Sequence, residues 1–171
     1  MITQSRYWQA HLEGTSAWLE SWHRRGGFEA TSYAEFELRV FTSCFAARKL
    51  LESQVGPQVL ESETVVVCKY PRRGESINPL DSGHFTRNYR LLPEGELSGG
   101  EVSDQRCREV LNLFIHSYHF SPFVADGKVM GIFVASDRTR NEHLLYLTVP
   151  ALCGLFRAFA SAELREQNEP A

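Results

Sequence analysis

The sequence lacks the features that mark secreted, membrane-spanning and zinc-binding proteins. Its N-terminus has neither the basic start nor the apolar core of a secretion signal, and its longest mainly apolar stretch, 144–156, is interrupted by Pro150. The four cysteines stand far apart, without the close pairs of a zinc knuckle or a dithiol redox site. We therefore expect a cytoplasmic protein without a membrane span, with reduced thiols and with neither a cofactor nor a resident metal.

Lysine is also scarce, with three lysines against fifteen arginines, and the net charge is −3. This balance excludes a strongly basic protein that wraps nucleic acid. The only basic block is 64–92, where five basic residues outweigh two acidic ones. The 171 residues are 43% hydrophobic, which is enough for a core without metal or disulfide. We predict a single domain over residues 1–171.

Apolar periodicity predicts helices at several places in the chain. Residues 5–22 have helical spacing, and Gly14 is expected to split them into two short helices within an N-terminal segment, 5–31. The clearest helix is 33–54, which Ser32 and Glu35 are expected to start as a capping box. The polar tail, 166–171, is expected to fray.

The remaining pattern predicts strands that alternate with two further helices. The run TVVVCKY is continuously apolar, which is typical of a central strand covered on both faces. The predicted strands are 64–70, 85–91, 128–136 and 143–149, and the helices are 104–119, capped by Ser103, and 150–166. The fold class is therefore α+β, with an antiparallel-rich sheet of about four strands and three to four helices packed on it.

Polar side chains that can act in catalysis or binding share one side of the predicted helix 104–119. They are Arg108, Asn112, His116 and His119, opposite an apolar flank. The simplest interpretation is the solvated face of an amphipathic helix. A histidine near an arginine also favours metal-free general acid–base chemistry on RNA. A third interpretation is a metal site in which His116 and His119 share an ion with His84, Cys107 or an acidic residue.

The segment NLFIH, residues 112–116, resembles the Asn-x-x-x-His half of the Arg-Asn-x-x-x-His motif of HEPN ribonucleases. Those proteins are small and helical, and they pair their motifs across a dimer interface. Leu111 occupies the position of the motif's arginine, and the nearest arginine upstream is Arg108. The resemblance implies a metal-independent ribonuclease that uses His116, Asn112 and Arg108.

Three further segments resemble a family of uncharacterised small bacterial proteins. These segments are ARKLLE (47–52), IHSY (115–118) and ASDR (135–138). The resemblance implies no substrate, but it directs attention to the polar residues of the segments. Folding is expected to gather Arg48, Lys49, His116, Asp137 and Arg138 into one polar pocket. The alternative is that these residues have local structural roles, in which Arg48 pairs with Glu52 and Asp137 caps a turn.

Two function classes remain open. The favoured one is a non-catalytic protein that binds a protein partner or associates with itself through arginines and aromatic residues, with binding residues Arg48, Lys49, Asp137, Arg138 and His119. The alternative is the HEPN-like ribonuclease, for which RNA is the partner.

Overall fold

The computed structural model describes residues 5–53, 59–72 and 100–162. The helices are α1 (Ser5–Arg25), α2 (Tyr33–Glu52), α3 (Val59–Ser62), α4 (Cys107–Ile115) and α5 (Val149–Ser161). The strands are β1 (Thr64–Pro71), β2 (Glu101–Arg106), β3 (Ser117–Ala125), β4 (Lys128–Ser136) and β5 (His143–Thr148). A short 3-10 turn, Ala30–Ser32, leads into α2.

The strands form one antiparallel sheet in the order β2-β1-β5-β4-β3. The predicted α+β class is confirmed, with five strands where the sequence predicted about four. Strand β1 pairs with a neighbour on each side, as expected of an interior strand. Its side chains nevertheless alternate in burial, and Val66 is 58% exposed, so the expectation that β1 is covered on both faces is wrong.

The long helices and the sheet share the main hydrophobic core. Helix α1 packs along α5, and α2 packs on α1 and α4. Glu20 of α1 and Arg157 of α5 form an ion pair at 2.7 Å, which also holds the pKa of the Glu20 carboxyl below its usual value. Alternate residues of the strands, such as Val67 and Leu145, point into this core because successive side chains of a strand face opposite sides.

The intervening residues of the strands form a second, smaller core on the other face of the sheet. Its members are buried and mainly aromatic: Tyr70, Phe133, Ala135, Leu144 and Tyr146. Because β4 and β5 bury both of their faces, their sequences are nearly continuous apolar runs.

Two local predictions about helix ends and breaks are wrong. Gly14 lies inside the unbroken helix α1, since one glycine costs a helix only about 1 kcal/mol, which packing offsets. Ser32 makes no side-chain cap hydrogen bond, because its backbone is already helical after the 3-10 turn. By contrast, Thr148 does cap α5, where its side chain accepts a hydrogen bond from Ala151 N, and Pro150 lies in the first turn as predicted.

The predicted helix 104–119 is wrong at both ends. Ser103 lies in β2 instead of capping a helix, and α4 spans only Cys107–Ile115. The chain turns at His116 and continues as β3, which is at the edge of the sheet formed by the described residues, a position that tolerates Pro122. Strands β2 and β3 were both missed from the sequence.

The predicted strand 85–91 and the tail 166–171 lie outside the described residues, and helix α5 ends at Ser161 within them. Among the helices in the described ranges, none is both long and apolar enough to cross a membrane.

Candidate functional site

A cavity of about 700 Å³ opens on the helix side of the sheet, over the paired strands β1 and β5. Most of the residues that line it are polar or charged, and they come from α2, α4 with its C-terminal cap, four strands and the turn after β4. The lining residues are Arg48, Lys69, Gln105, Glu109, Asn112, Leu113, His116, Ser136, Asp137, Arg138, Thr139, His143 and Leu145. The volume lies within the range of about 300–1,000 Å³ that is typical of small-molecule sites.

Arg48 is the best-anchored cation of the cavity. Its Nε donates a hydrogen bond to Asn112 Oδ1 at 2.9 Å, and its Nη2 forms an ion pair with Glu52 Oε1 at 2.9 Å. The side chain is only 16% exposed, and its buried Nη1 has no hydrogen-bond partner within the described part of the chain. Two partners therefore fix the guanidinium, while one of its nitrogens still has donor capacity.

Glu52 lies where several cations converge. Lys49 donates a hydrogen bond to Glu52 Oε2 at 3.2 Å, and this bond is the main cause that lowers the pKa of the Glu52 carboxyl. The charges of Arg48 and Arg108 lower the same pKa further. Glu52 therefore stays ionised and orients Arg48, as the local alternative from the sequence predicted.

Helix α4 and its C-terminal cap present four cavity residues on one face, because each of them lies three or four residues from another member of the set. These residues are Glu109, Asn112, Leu113 and His116. The opposite face, with Leu111 and Phe114, is buried in the main core. His116 is the C-terminal cap residue, and its backbone N donates to Asn112 O at 2.9 Å. The helix thus fixes Asn112 and His116 at the cavity wall.

The turn after β4 is held by hydroxyl groups and backbone hydrogen bonds. The Ser136 N donates to Thr139 Oγ1 at 3.0 Å, and the backbone N atoms of Thr139 and Arg140 donate to Ser136 O. This arrangement presents Asp137 and Arg138 at the cavity. The exposed carboxylate of Asp137 also lies 3.6 Å from Nε of the partly buried Arg140.

The cavity contains more cationic groups than carboxylates. Arg48, Lys69 and Arg138 face Glu109 and Asp137, and two imidazoles complete the titratable groups. Neither Lys69 nor Arg138 has an ion-pair partner in the residues that the structure describes. This excess of donors is chemically suited to an anionic ligand.

His143 is the second imidazole of the cavity. Burial lowers its pKa, the charge of Lys69 lowers it further, and Glu142, whose carboxylate lies 3.9 Å from Nδ1, raises it. The net effect is a lowered pKa, so His143 is mostly neutral at pH 7. A neutral imidazole donates one hydrogen bond from one ring nitrogen and accepts one at the other.

The cavity brings together five of the eight residues that the sequence singled out: Arg48, Asn112, His116, Asp137 and Arg138. The other three, Lys49, Arg108 and His119, are not among its lining residues.

His119 shows why the predicted alignment of two histidines is wrong. It lies in β3 opposite Ala135, not on a helix with His116. Its Nε2 is buried, and desolvation lowers the pKa of the imidazole to about 4. The metal interpretation loses its helical pair, and no metal-binding group of three or more His, Cys, Asp or Glu occurs in the described ranges. Cys107 is buried, and His84 lies outside those ranges.

Sequence reasoning missed Lys69 and His143. Both are close to the β1–β5 pairing, in which Lys69 lies opposite Leu145 and Pro71 opposite His143. No signal in the sequence reveals that these two strands, more than seventy residues apart, are neighbours. Glu109 was detectable, since it precedes Asn112 and His116 by three and seven residues on the same helix face.

Comparison of the chain with protein-family models, with curated proteins and with solved structures finds no match.

Proposed function

We propose that the protein is a non-catalytic binding protein and that its ligand is an anion held in the cavity. The observation that carries this proposal is Arg48, a guanidinium fixed by Asn112 and Glu52 in the wall of a cavity whose lining cations outnumber its carboxylates.

Lys69 and Arg138 support the proposal because they add positive charge to the same cavity without an ion pair in the described ranges. A phosphate or carboxylate that reaches both Arg48 and Arg138 would replace water at two guanidinium groups. Charge-assisted hydrogen bonds of this kind contribute about 1.5–3 kcal/mol each. Binding is therefore expected to weaken as the salt concentration rises.

The experiment is isothermal titration of the protein with inorganic phosphate in a cationic buffer of low ionic strength. Arg138→Ala is expected to weaken binding at least about tenfold, since one charge-assisted contact contributes about 1.5–3 kcal/mol and about 1.4 kcal/mol corresponds to a factor of ten. Arg48→Lys keeps the charge but loses the planar fork, and it is expected to weaken binding similarly.

Arg24→Ala is the matched control, because Arg24 belongs to an exposed pair with Glu20 and does not line the cavity. It removes the same charge from the protein and is expected to leave the affinity unchanged. An equal loss in Arg24→Ala and Arg138→Ala would show a general charge effect and refute the proposal, as would the absence of any phosphate binding.

A specific observation favours a second candidate, the HEPN-like metal-independent ribonuclease. Asn112 and His116 both line the cavity, and the Arg48 guanidinium is hydrogen-bonded to Asn112. Leu111, which occupies the position of the motif's arginine, is fully buried in the core. In this candidate Arg48 takes the role of that arginine. His116 moves the proton of a 2′-hydroxyl, and Arg48 neutralises the phosphate.

This candidate is tested with labelled RNA in the presence of a metal chelator. His116→Ala is expected to abolish cleavage, and Arg108→Ala is expected to leave it largely intact because Arg108 does not line the cavity. Cleavage that survives in His116→Ala would rule out the ribonuclease.

The prediction of a protein partner or of self-association stays a prediction. Leu38 and Phe45, seven residues apart on α2, are 66% and 46% exposed and lie on one helix face. Native mass spectrometry of the purified chain measures the number of subunits directly.

A further inference from the structure

We infer that the ligand of the cavity is a phosphate monoester of a polyhydroxylated sugar, a class that includes sugar phosphates and ribonucleotides. This inference rests on the proposed anion-binding function and makes it specific. It starts from the two carboxylates, Glu109 and Asp137, that line the same cavity as the three cations.

A simple oxyanion does not explain the carboxylates. Near a bound phosphate they repel it, and they have no proton to donate at neutral pH. A ligand that also carries hydroxyl groups uses them, because each carboxylate accepts hydrogen bonds from O–H donors. Asp137 already has Arg140 at 3.6 Å, whereas Glu109 has no ion pair within the described ranges. Glu109 is therefore the main acceptor for such hydroxyls.

The proposed hydroxyl acceptor and the proposed phosphate anchor are both positioned by α4. Glu109 and Asn112 are three residues apart on one face of α4, which corresponds to about 4.5 Å along the helix axis. Asn112 accepts a hydrogen bond from Arg48, so the proposed phosphate anchor and the hydroxyl acceptor both line the cavity beside α4.

The size and the apolar part of the cavity agree with this class. About 700 Å³ is far more than a single oxyanion fills. Leu113 and Leu145 contribute the apolar part of the wall, against which the carbon skeleton of a sugar can pack. The wall also contains Gln105, whose Nε2 donates to Ser103 Oγ and Asp104 O and whose side-chain oxygen can accept from a ligand hydroxyl, whereas the hydroxyls of Ser136 and Thr139 bond to each other in the turn.

The test compares four probes by isothermal titration: inorganic phosphate, ribose, ribose 5-phosphate and adenosine 5′-monophosphate. Ribose 5-phosphate is expected to bind at least about tenfold more tightly than phosphate, and ribose alone is expected to bind too weakly to measure. If adenosine 5′-monophosphate binds more tightly than ribose 5-phosphate, the ligand is a ribonucleotide. If it binds equally or more weakly, the source is a sugar phosphate, and both outcomes support the inference.

Glu109→Gln is the decisive variant, because Glu109 is exposed and its replacement leaves the core intact. It is expected to weaken the binding of ribose 5-phosphate about fivefold or more and, because it removes a carboxylate that repels the anion, to tighten the binding of phosphate slightly. The matched control is Glu37→Gln, which removes an exposed carboxylate of α2 outside the cavity and is expected to change neither affinity.

Failure of this inference differs from failure of the proposed function. Phosphate binding that depends on Arg138, combined with no gain for ribose 5-phosphate or with equal effects of Glu109→Gln on both probes, would overturn the inference alone. If neither phosphate nor ribose 5-phosphate binds to the wild-type protein, the proposed function and the inference both fall.

Discussion

His119 lies in the edge strand β3 with its imidazole largely removed from water, and burial lowers its pKa to about 4 from 6.5. In the unfolded chain the imidazole is solvated, so the unfolded state binds the proton more tightly than the folded state. The folded protein therefore loses stability as the pH falls through the window from about 6.5 to 4, and this loss is absent above pH 7.

The magnitude follows from the two pKa values. One unit of difference corresponds to about 1.4 kcal/mol, so the contribution grows to about 2 kcal/mol at pH 5 and about 3 kcal/mol at pH 4. His11 and His143 also have pKa values lowered mainly by burial, and their contributions have the same sign. A titration of the wild-type protein alone therefore does not isolate His119.

The assay is urea unfolding of the wild-type protein and of His119→Gln at several values between pH 4 and pH 8. Glutamine keeps a polar side chain but does not titrate, so the variant lacks the His119 contribution while the other histidines are unchanged. We expect the wild-type protein to lose about 2 kcal/mol relative to the variant between pH 8 and pH 5. A stability difference that stays constant over this range would refute the assignment of a buried, neutral imidazole.

Two further predictions concern the backbone. A Cβ on Gly131 would lie 2.5 Å from Leu147 O and from the ring of Tyr146, so Gly131→Ala is expected to cost about 1–3 kcal/mol in urea unfolding. Gly14→Ala, which meets nothing within 4 Å in α1, is the matched control and is expected to stabilise by about 1 kcal/mol; destabilisation of both would contradict this reasoning. Thr148→Ala is expected to cost about 1 kcal/mol through loss of the α5 cap, and an unchanged melting curve would show that the cap does not contribute.

The missed hairpin shows how far local pattern reasoning reaches. Asp126 and Gly127 have φ values of 50° and 69°, and they connect β3 to β4. Asp-Gly is the dipeptide that a two-residue hairpin turn favours, so this signal was present in the sequence. Strand β3 was missed because its first residues continue the helical spacing of 104–119, and a short apolar segment fits helix and strand patterns about equally well.

The sequence by itself determined the local elements that depend on neighbours along the chain. The strand 128–136, the strand that begins at His143 and the helix that opens near Pro150 follow from apolar runs, a turn and the proline itself, and the structure confirms them. Of the five residues expected to share a pocket, the cavity is lined by Arg48, His116, Asp137 and Arg138 but not by Lys49.

Only the tertiary structure decided which strands are neighbours and, through that, the composition of the cavity. The pairing of β1 with β5 places Lys69 near His143, and the packing of α2 on α4 places Arg48 on Asn112. The physical reason is that these contacts join residues far apart in the chain, and their stability depends on burial and shape that no local pattern encodes. The same contacts separate His119 from His116, because the strand pairing of β3 overrides the helical spacing of the two histidines.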